Sequence, residues 1–439
     1  MTKRKNMVMK KAIYTILALL LFLGLASCNA KKQQANTEEG FRPALDTSVK
    51  GHIKFAGSYN NFEALETEFN RFNEYYPNVE LVYTKIDDYN NMLGMVLNGK
   101  DAPDVYVTNS WMYGREQYKA YLDHAEDLSD PALGLDLGCI RSNILLKTDD
   151  GTLPMVPVFS TTYGMLVNND LFQKEGIKVP STYKEMVAAY KAFREKGYEN
   201  PLMGFSATER TSIFTLISYP FFFSTVAHDE KVIEKMNALE PSAGEYMRPT
   251  LEKMQQFLND ICVNLDACNA IKNYYDAVIM RFFEGDVPMM TGSGDIVSGT
   301  KKRETASKAF ADKPFAYTFV PIPISDEGAY FLDMSNLQFS VNKESPNLKI
   351  ANEFMRFLIS SRELNEMAKN KGLMSPTKDL SFNSMYAAFG NIPEARILSP
   401  EEFGLTDDAA VQLRLAIYKF AKGELTIDEA VAAYGTFAE

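Results

Sequence analysis

Between residues 53 and 107 the chain switches back and forth between two apolar periods, and no other feature limits its fold as strongly. Ile53-Lys-Phe55 reads as a short strand ending at Gly57-Ser58-Tyr59-Asn60. Phe62, Leu65, Phe69 and Phe72 then recur at i, i+3, i+7 and i+10, one apolar stripe of a helix. Pro77 closes that helix, because proline has no N–H to continue the hydrogen-bond ladder. Residues 79–83 alternate as a strand, 88–97 predict a second helix, and Pro103-Asp104-Val105-Tyr106-Val107 predicts a third strand. Strands and helices in that order require right-handed crossovers and a parallel sheet covered by helices. Ligands of such sheets bind beyond the carboxyl ends of the strands. Here those ends carry Ser58-Tyr59 and Asn109-Ser110-Trp111.

The pattern continues to the C-terminus. Residues 145–159 read as a hairpin around Asp149-Asp150-Gly151. A second α/β run starts at Tyr163, with a strand at 164–168 and a helix at 183–196 capped by Thr182. Helices are expected near 247–258, 274–284 and 350–358, and strands at 203–206, 288–291, 315–324 and 337–341. The chain ends in two helices, 407–421 and one opening on the capping box Thr426-Ile-Asp-Glu429.

Residues 1–27 read as an export signal. Lys3, Arg4, Lys5, Lys10 and Lys11 precede a run from Ala12 to Ala26 that is too short to span a membrane comfortably. Met9 serves as a start codon as well as Met1 does. The run ends Leu25-Ala26-Ser27-Cys28, similar to the bacterial lipobox, which implies cleavage before Cys28, diacylglycerol on its thiol and acylation of its freed amine. Residues 28–50 then form a polar tether. The expected location is the cell membrane or envelope, on the extracytoplasmic side; inner and outer membrane are not distinguished.

Charge narrows the partners. The whole chain carries −11, and residues 1–27 hold five basic residues and no acid, so the remainder carries −16. Phosphate repels such a body, which excludes nucleic acid. With Cys28 lipidated, Cys139, Cys262 and Cys268 remain. Cys262 and Cys268 are close enough to bridge a small loop, or are ordinary core residues; Cys139, in Leu-Gly-Cys-Ile, reads as buried. Only His52, His124 and His228 occur, without metal-binding spacing, so neither metal nor cofactor is expected. Gly292-Ser293-Gly294 matches neither a nucleophile elbow nor a dinucleotide loop. Asp87-Asp88 and Asp149-Asp150 read as a helix start and a turn rather than a catalytic pair.

Four stretches carry a family resemblance. They are Phe72-Asn-Glu-Tyr-Tyr-Pro-Asn-Val79 with Leu97-Asn-Gly-Lys-Asp-Ala-Pro-Asp-Val105; Gly164-Met-Leu-Val-Asn-Asn-Asp-Leu-Phe172 with Gly176, Pro180, Thr182 and Glu185; Phe283-Glu-Gly-Asp-Val-Pro-Met-Met290 into Gly292; and Pro323, Asn342, Ala351 to Leu358, Gly372 and Pro376. Their order and spacing resemble the extracellular solute-binding proteins of ABC importers, in the sugar-binding branch that includes maltose-binding protein. The resemblance covers nearly all of residues 51–435. It implies an α/β, two-lobed periplasmic-binding-protein-like fold with a hinge between the lobes, and no enzymatic activity. Mapped here, lobe one is expected at 51–157 plus 297–338, and lobe two at 158–296 plus 339–439. Hinges are expected near 157–161, 291–296 and 337–341. The implied partners are a small ligand, most simply a sugar or oligosaccharide, and a membrane permease, with the protein itself a monomer. A ligand sensor of the same fold and an envelope glycoside hydrolase are the rival readings.

Sugars present flat C–H faces and many hydroxyls, so their sites combine stacking aromatics with hydrogen-bonding side chains. Trp111, the only tryptophan, follows a strand end in a polar setting and is the leading candidate, against a core role in the next helix. Asn109 sits beside it. Tyr59 is a contact or a plain turn residue. Phe159 and Tyr163 flank the first hinge, and one of them is expected to face the cleft. Gly292-Ser293-Gly294-Asp295 stands where the family often has an aromatic, and Asp295 accepts sugar hydroxyls or caps a helix. Asn336 lies near the last hinge, and Tyr219-Pro-Phe-Phe-Phe223 is a stacking platform or core.

Overall fold

The stripe formed by Leu65, Phe69 and Phe72 is buried, as its spacing requires, on the inner face of the helix Glu63–Phe72. Each such side chain removed from water stabilises the fold by about 1.5–3 kcal/mol. The computed structural model describes residues 40–112, 118–227, 229–379 and 384–437. Residues 40–44 belong to a separate N-terminal unit and carry no helix or strand; the body runs from Leu45. The export segment, Cys28 and His228 lie outside the described residues.

Two sheets organise the body. In the first, β1 (Gly51–Gly57) lies parallel to β2 (Val79–Lys85) and β3 (Val105–Thr108), as two right-handed crossovers dictate. β4 (Val156–Thr161) and the much later β10 (Met334–Val341) complete it, in the order β2-β1-β3-β10-β4. The second sheet contains β5 (Tyr163–Asn168), β6 (Leu202–Met203), β7 (Met289–Ser293) and β8 (Tyr317–Val320), in the order β6-β7-β5-β8. Its strands are buried on both faces. Met165 and Val167 point into one core, with the helices Tyr183–Glu195, Ile213–Val226, Arg248–Asp260 and Asp407–Ala421. Leu166 points into the other, with Phe319 and the helix Tyr275–Phe282, as the two-residue period requires. β9 (Phe331–Leu332) pairs only with β11 (Ile397–Leu398).

Three features differ from the sequence expectation. First, residues 145–159 are not a hairpin. Gly151 turns the chain at φ +86°, but no strand precedes the turn, and β4 pairs with β10 instead. Second, the expected division of the chain fails after residue 296. The helix Gly294–Ala306 packs on Tyr275–Phe282 and β8 pairs with β5, so both stay with the second sheet. β10 (Met334–Val341) is inserted antiparallel between β3 and β4, and the helices Leu348–Leu358 and Ser361–Lys371 pack on Glu63–Phe72, so these join the first. Third, the chain changes sheets beside the first expected hinge, at 157–161, but not at 291–296 or within 337–341. One change is the single residue Thr162 between β4 and β5, a second is Asp333 between β9 and β10, and a third follows Gly372. Apolar periodicity locates a strand but carries no information about which sheet will accept it.

Candidate functional site

The end of β3, the start of β5 and the helix Asp407–Ala421 converge on a cavity of about 300 Å³. β3 stops at Thr108 and the next residues form a short 3₁₀ turn, Ser110–Met112, with the Met112 N–H donating to the Asn109 carbonyl at 3.0 Å. That turn holds Trp111 partly exposed, edge-on to Tyr118 at 5.1 Å between ring centres, on the cavity wall. Opposite stand Tyr163 and Tyr219, their rings 6.2 Å apart, with Phe223. Polar groups on the same wall are Glu401, Asp407 and Arg414. Glu401 Oε1 accepts from the Ser335 N–H (3.0 Å), Ser335 Oγ (2.7 Å) and Ser110 Oγ (3.2 Å), so it ties the helix Pro400–Phe403 to the first sheet. Burial pushes its carboxyl above the usual range, against the pull of those donors.

A second cavity of about 570 Å³ is walled by Asn61, Glu63, Tyr275, Asp295, Lys302 and Lys371, among others. Asp295 lies in the first turn of Gly294–Ala306, where Ser293 is the N-cap, so it is not a capping residue. Asn336 donates to its Oδ1, and Ser293 Oγ donates to Oδ2 at 3.4 Å. Crowding between the sheets raises its pKa. Gly294 is required here. Its N–H donates to the Thr162 carbonyl at 2.7 Å, and a Cβ would stand 2.9 Å from Thr161 Oγ1. Gly294 thus lets the helix start press against the crossing strand. Tyr59 is partly exposed, with Lys371 Nζ over its ring at 4.3 Å. Burial, reinforced by the Asp295 charge, pushes its hydroxyl up to about 12.

Of the sequence candidates, Trp111 and Tyr163 share the first cavity, Asp295 lines the second, and Asn336 joins Asp295 across the sheets. Asn109 is not a wall residue of either cavity. Phe159 does not face the cleft: it is fully buried against Phe62, 6.4 Å between ring centres, because the helix Ser361–Lys371 covers β4. Tyr219 and Phe223 reach the cavity while Phe222, between them, is core. Cys262 and Cys268 are free: Cys268 is buried in the apolar core from the helix Leu265–Asn269, and Cys262 faces solvent. Sequence reasoning passed over Glu401, Asp407, Arg414, Tyr275 and Lys371. One signal was available: Asp407 and Arg414, at i and i+7, share a face of one helix.

Behind the cavities, one guanidinium joins all three places where the chain changes sheets. Arg141 grips Asp333 through Nε (2.7 Å) and Nη2 (2.8 Å). Its remaining N–H groups donate to Ser160 Oγ (2.8 Å) and to the carbonyls of Ser375 (2.9 Å) and Thr377 (2.8 Å).

The sequence of the chain matches the model of the family "Bacterial extracellular solute-binding protein" over residues 68–393. The chain belongs to that family. It is an extracytoplasmic binding protein rather than an enzyme, with the two-lobed α/β fold. It is 22% identical over 383 residues to the melibiose/raffinose/stachyose-binding protein MelE of Bacillus subtilis, covering 86% of this chain and 84% of the relative. Apo RafE of Streptococcus pneumoniae superposes with a TM-score of 0.66 at 18% identity, over 90% of this chain and 99% of that one. The sugar-binding protein MalE of Xanthomonas citri superposes with a TM-score of 0.65 at 16% identity, over 88% and 95%.

Proposed function

We propose that this solute-binding protein is the lipid-anchored receptor of an ABC importer, capturing a neutral sugar or oligosaccharide between its lobes and delivering it to a membrane permease. The first lobe would comprise residues 45–161 and 334–379, and the second 163–332 and 384–437. The observation that carries the reading is the wall shared by Trp111, Tyr163 and Tyr219 with Glu401, Asp407 and Arg414, which pairs stacking faces with hydroxyl partners. MelE and RafE, one named for melibiose, raffinose and stachyose and the other also known in complex with raffinose, point to the same ligand class.

Trp111 supplies the test, because it is the only tryptophan. Titration with raffinose, stachyose or melibiose should shift its emission saturably, as sugar replaces water on the ring. Trp111→Ala should weaken binding by about 1–3 kcal/mol with the fold intact, the scale of one lost stacking contact and its area. Calorimetric binding with flat emission would remove Trp111 from the site, and no heat with any of these sugars would sink the sugar reading.

The anchor rests on Leu25-Ala26-Ser27-Cys28 alone. Cys28→Ala should abolish incorporation of a fatty-acid analogue and leave uncleaved precursor in the membrane. Equal labelling of the variant would contradict lipidation at this cysteine.

A further inference from the structure

We infer that Arg414 is a specificity-determining residue of the cleft, reading neighbouring hydroxyls on a neutral ligand ring seated against Trp111. The inference rests on the sugar reading above and adds which end of the cleft discriminates, and against what.

Arg414 projects from the helix Asp407–Ala421 and is 8% exposed, yet its Nε finds no hydrogen-bond partner among the described residues. A buried donor without an acceptor is unfavourable, and native proteins rarely keep one without a reason. Arg141 shows what a structural arginine does in this same molecule. It is as deeply buried, and all five of its N–H groups are engaged. Arg414 instead ends on the wall of the 300 Å³ cavity. Its ion-pair partner Asp407 stands 3.9 Å from Nη2, beyond hydrogen-bond reach.

Charge on this wall selects the class of group that fits. Glu401 and Asp407 place two carboxylates beside the Arg414 guanidinium, and beyond the wall Glu209 and Arg210 add fields of opposite sign. An anionic ligand group would meet more acids than cations there. A hydroxyl avoids that conflict, since it accepts from the guanidinium on this wall and donates its own proton to a carboxylate. Two hydroxyls on adjacent ring carbons can use Arg414 and Asp407 together. Trp111, Tyr163 and Tyr219 supply apolar faces for the ring carrying them.

The test is calorimetry with raffinose, stachyose and melibiose, first on the unaltered protein and then on Arg414→Gln and Arg414→Lys. Both variants should bind the preferred neutral sugar at least about tenfold more weakly, the scale of one lost charge-assisted hydrogen bond. Lysine keeps the charge without the planar fork, so it separates hydroxyl reading from simple charge balance and decides the matter if the glutamine variant does not fold. Binding within twofold of the parent in a folded variant would overturn the assignment. So would tighter binding of galacturonic acid than of the neutral sugars by the parent. Failure of the parent to bind any neutral sugar overturns the sugar reading itself, and that outcome appears before any variant is made.

Discussion

Replacing Asp333 with alanine should cost the folded protein about 3–5 kcal/mol, read as a lower urea midpoint at unchanged slope. Asp333 is fully buried and Arg141 is 7% exposed, so deleting the carboxylate leaves a guanidinium with no counter-charge away from water. Asn143 Nδ2, which donates to Asp333 Oδ2 at 3.0 Å, would lose its acceptor as well. The double variant Arg141→Met/Asp333→Leu should recover most of the loss, because two apolar side chains of similar volume avoid the desolvation of both charges. A single variant within 1 kcal/mol of the parent would show that water or another acid can replace Asp333. Arg141 ties Ser160, Asp333, Ser375 and Thr377 together, so all three places where the chain changes sheets depend on one side chain.

Glu68→Gln should stabilise the protein, and the gain should grow with pH. Glu68 lies in the helix Glu63–Phe72 with no exposed surface, and neither carboxylate oxygen has a hydrogen-bond partner among the described residues. Its nearest cation, Arg71, has Nε 3.8 Å from Oε2 and spends Nη2 on Glu363 at 2.8 Å. Burial, reinforced by the neighbouring Glu363 carboxyl, therefore holds the Glu68 pKa well above its ordinary 4.5. The folded state keeps a proton that the unfolded chain has released above that value. Stability thus falls as pH rises through the interval between the two pKa values, by up to about 1.4 kcal/mol per pH unit. Glutamine holds its hydrogens at every pH and removes this slope. The variant should match the parent near pH 5 and exceed it at pH 8, measured as the difference in urea midpoints. A constant difference across that range would mean that Glu68 is ionised in the fold and compensated by other groups.

Much of the fold was legible because it is written in local patterns. The first three strands and two helices between residues 51 and 108, the Thr182 cap (Glu185 N–H to Thr182 Oγ1, 3.3 Å), the helix Asp407–Ala421 and the capping box at Thr426 all appear where periodicity and capping chemistry put them. The family resemblance was legible for the same reason, since its turns and caps are local. The site was legible only in part. A strand end marks where ligands bind in such sheets, which pointed to Trp111. Proximity to the first hinge pointed to Tyr163 and also to Phe159, which the covering helix turns into core.

What the sequence by itself determined is therefore the set of elements, the parallel start of the first sheet, and the acidic charge of the body. What only the tertiary structure decided is which distant segments meet. β10 enters the first sheet beside a strand more than two hundred residues earlier, as the pairing of Gln338 with Thr108 shows. Arg141 finds Asp333 across 192 residues, and Arg414 reaches a wall shared with Trp111. Periodicity specifies which face of an element is apolar, but any apolar face of matching shape can cover it. The choice among partners is made by the packing of the whole chain, and both the Arg141 cluster and the candidate wall lie where those choices were made.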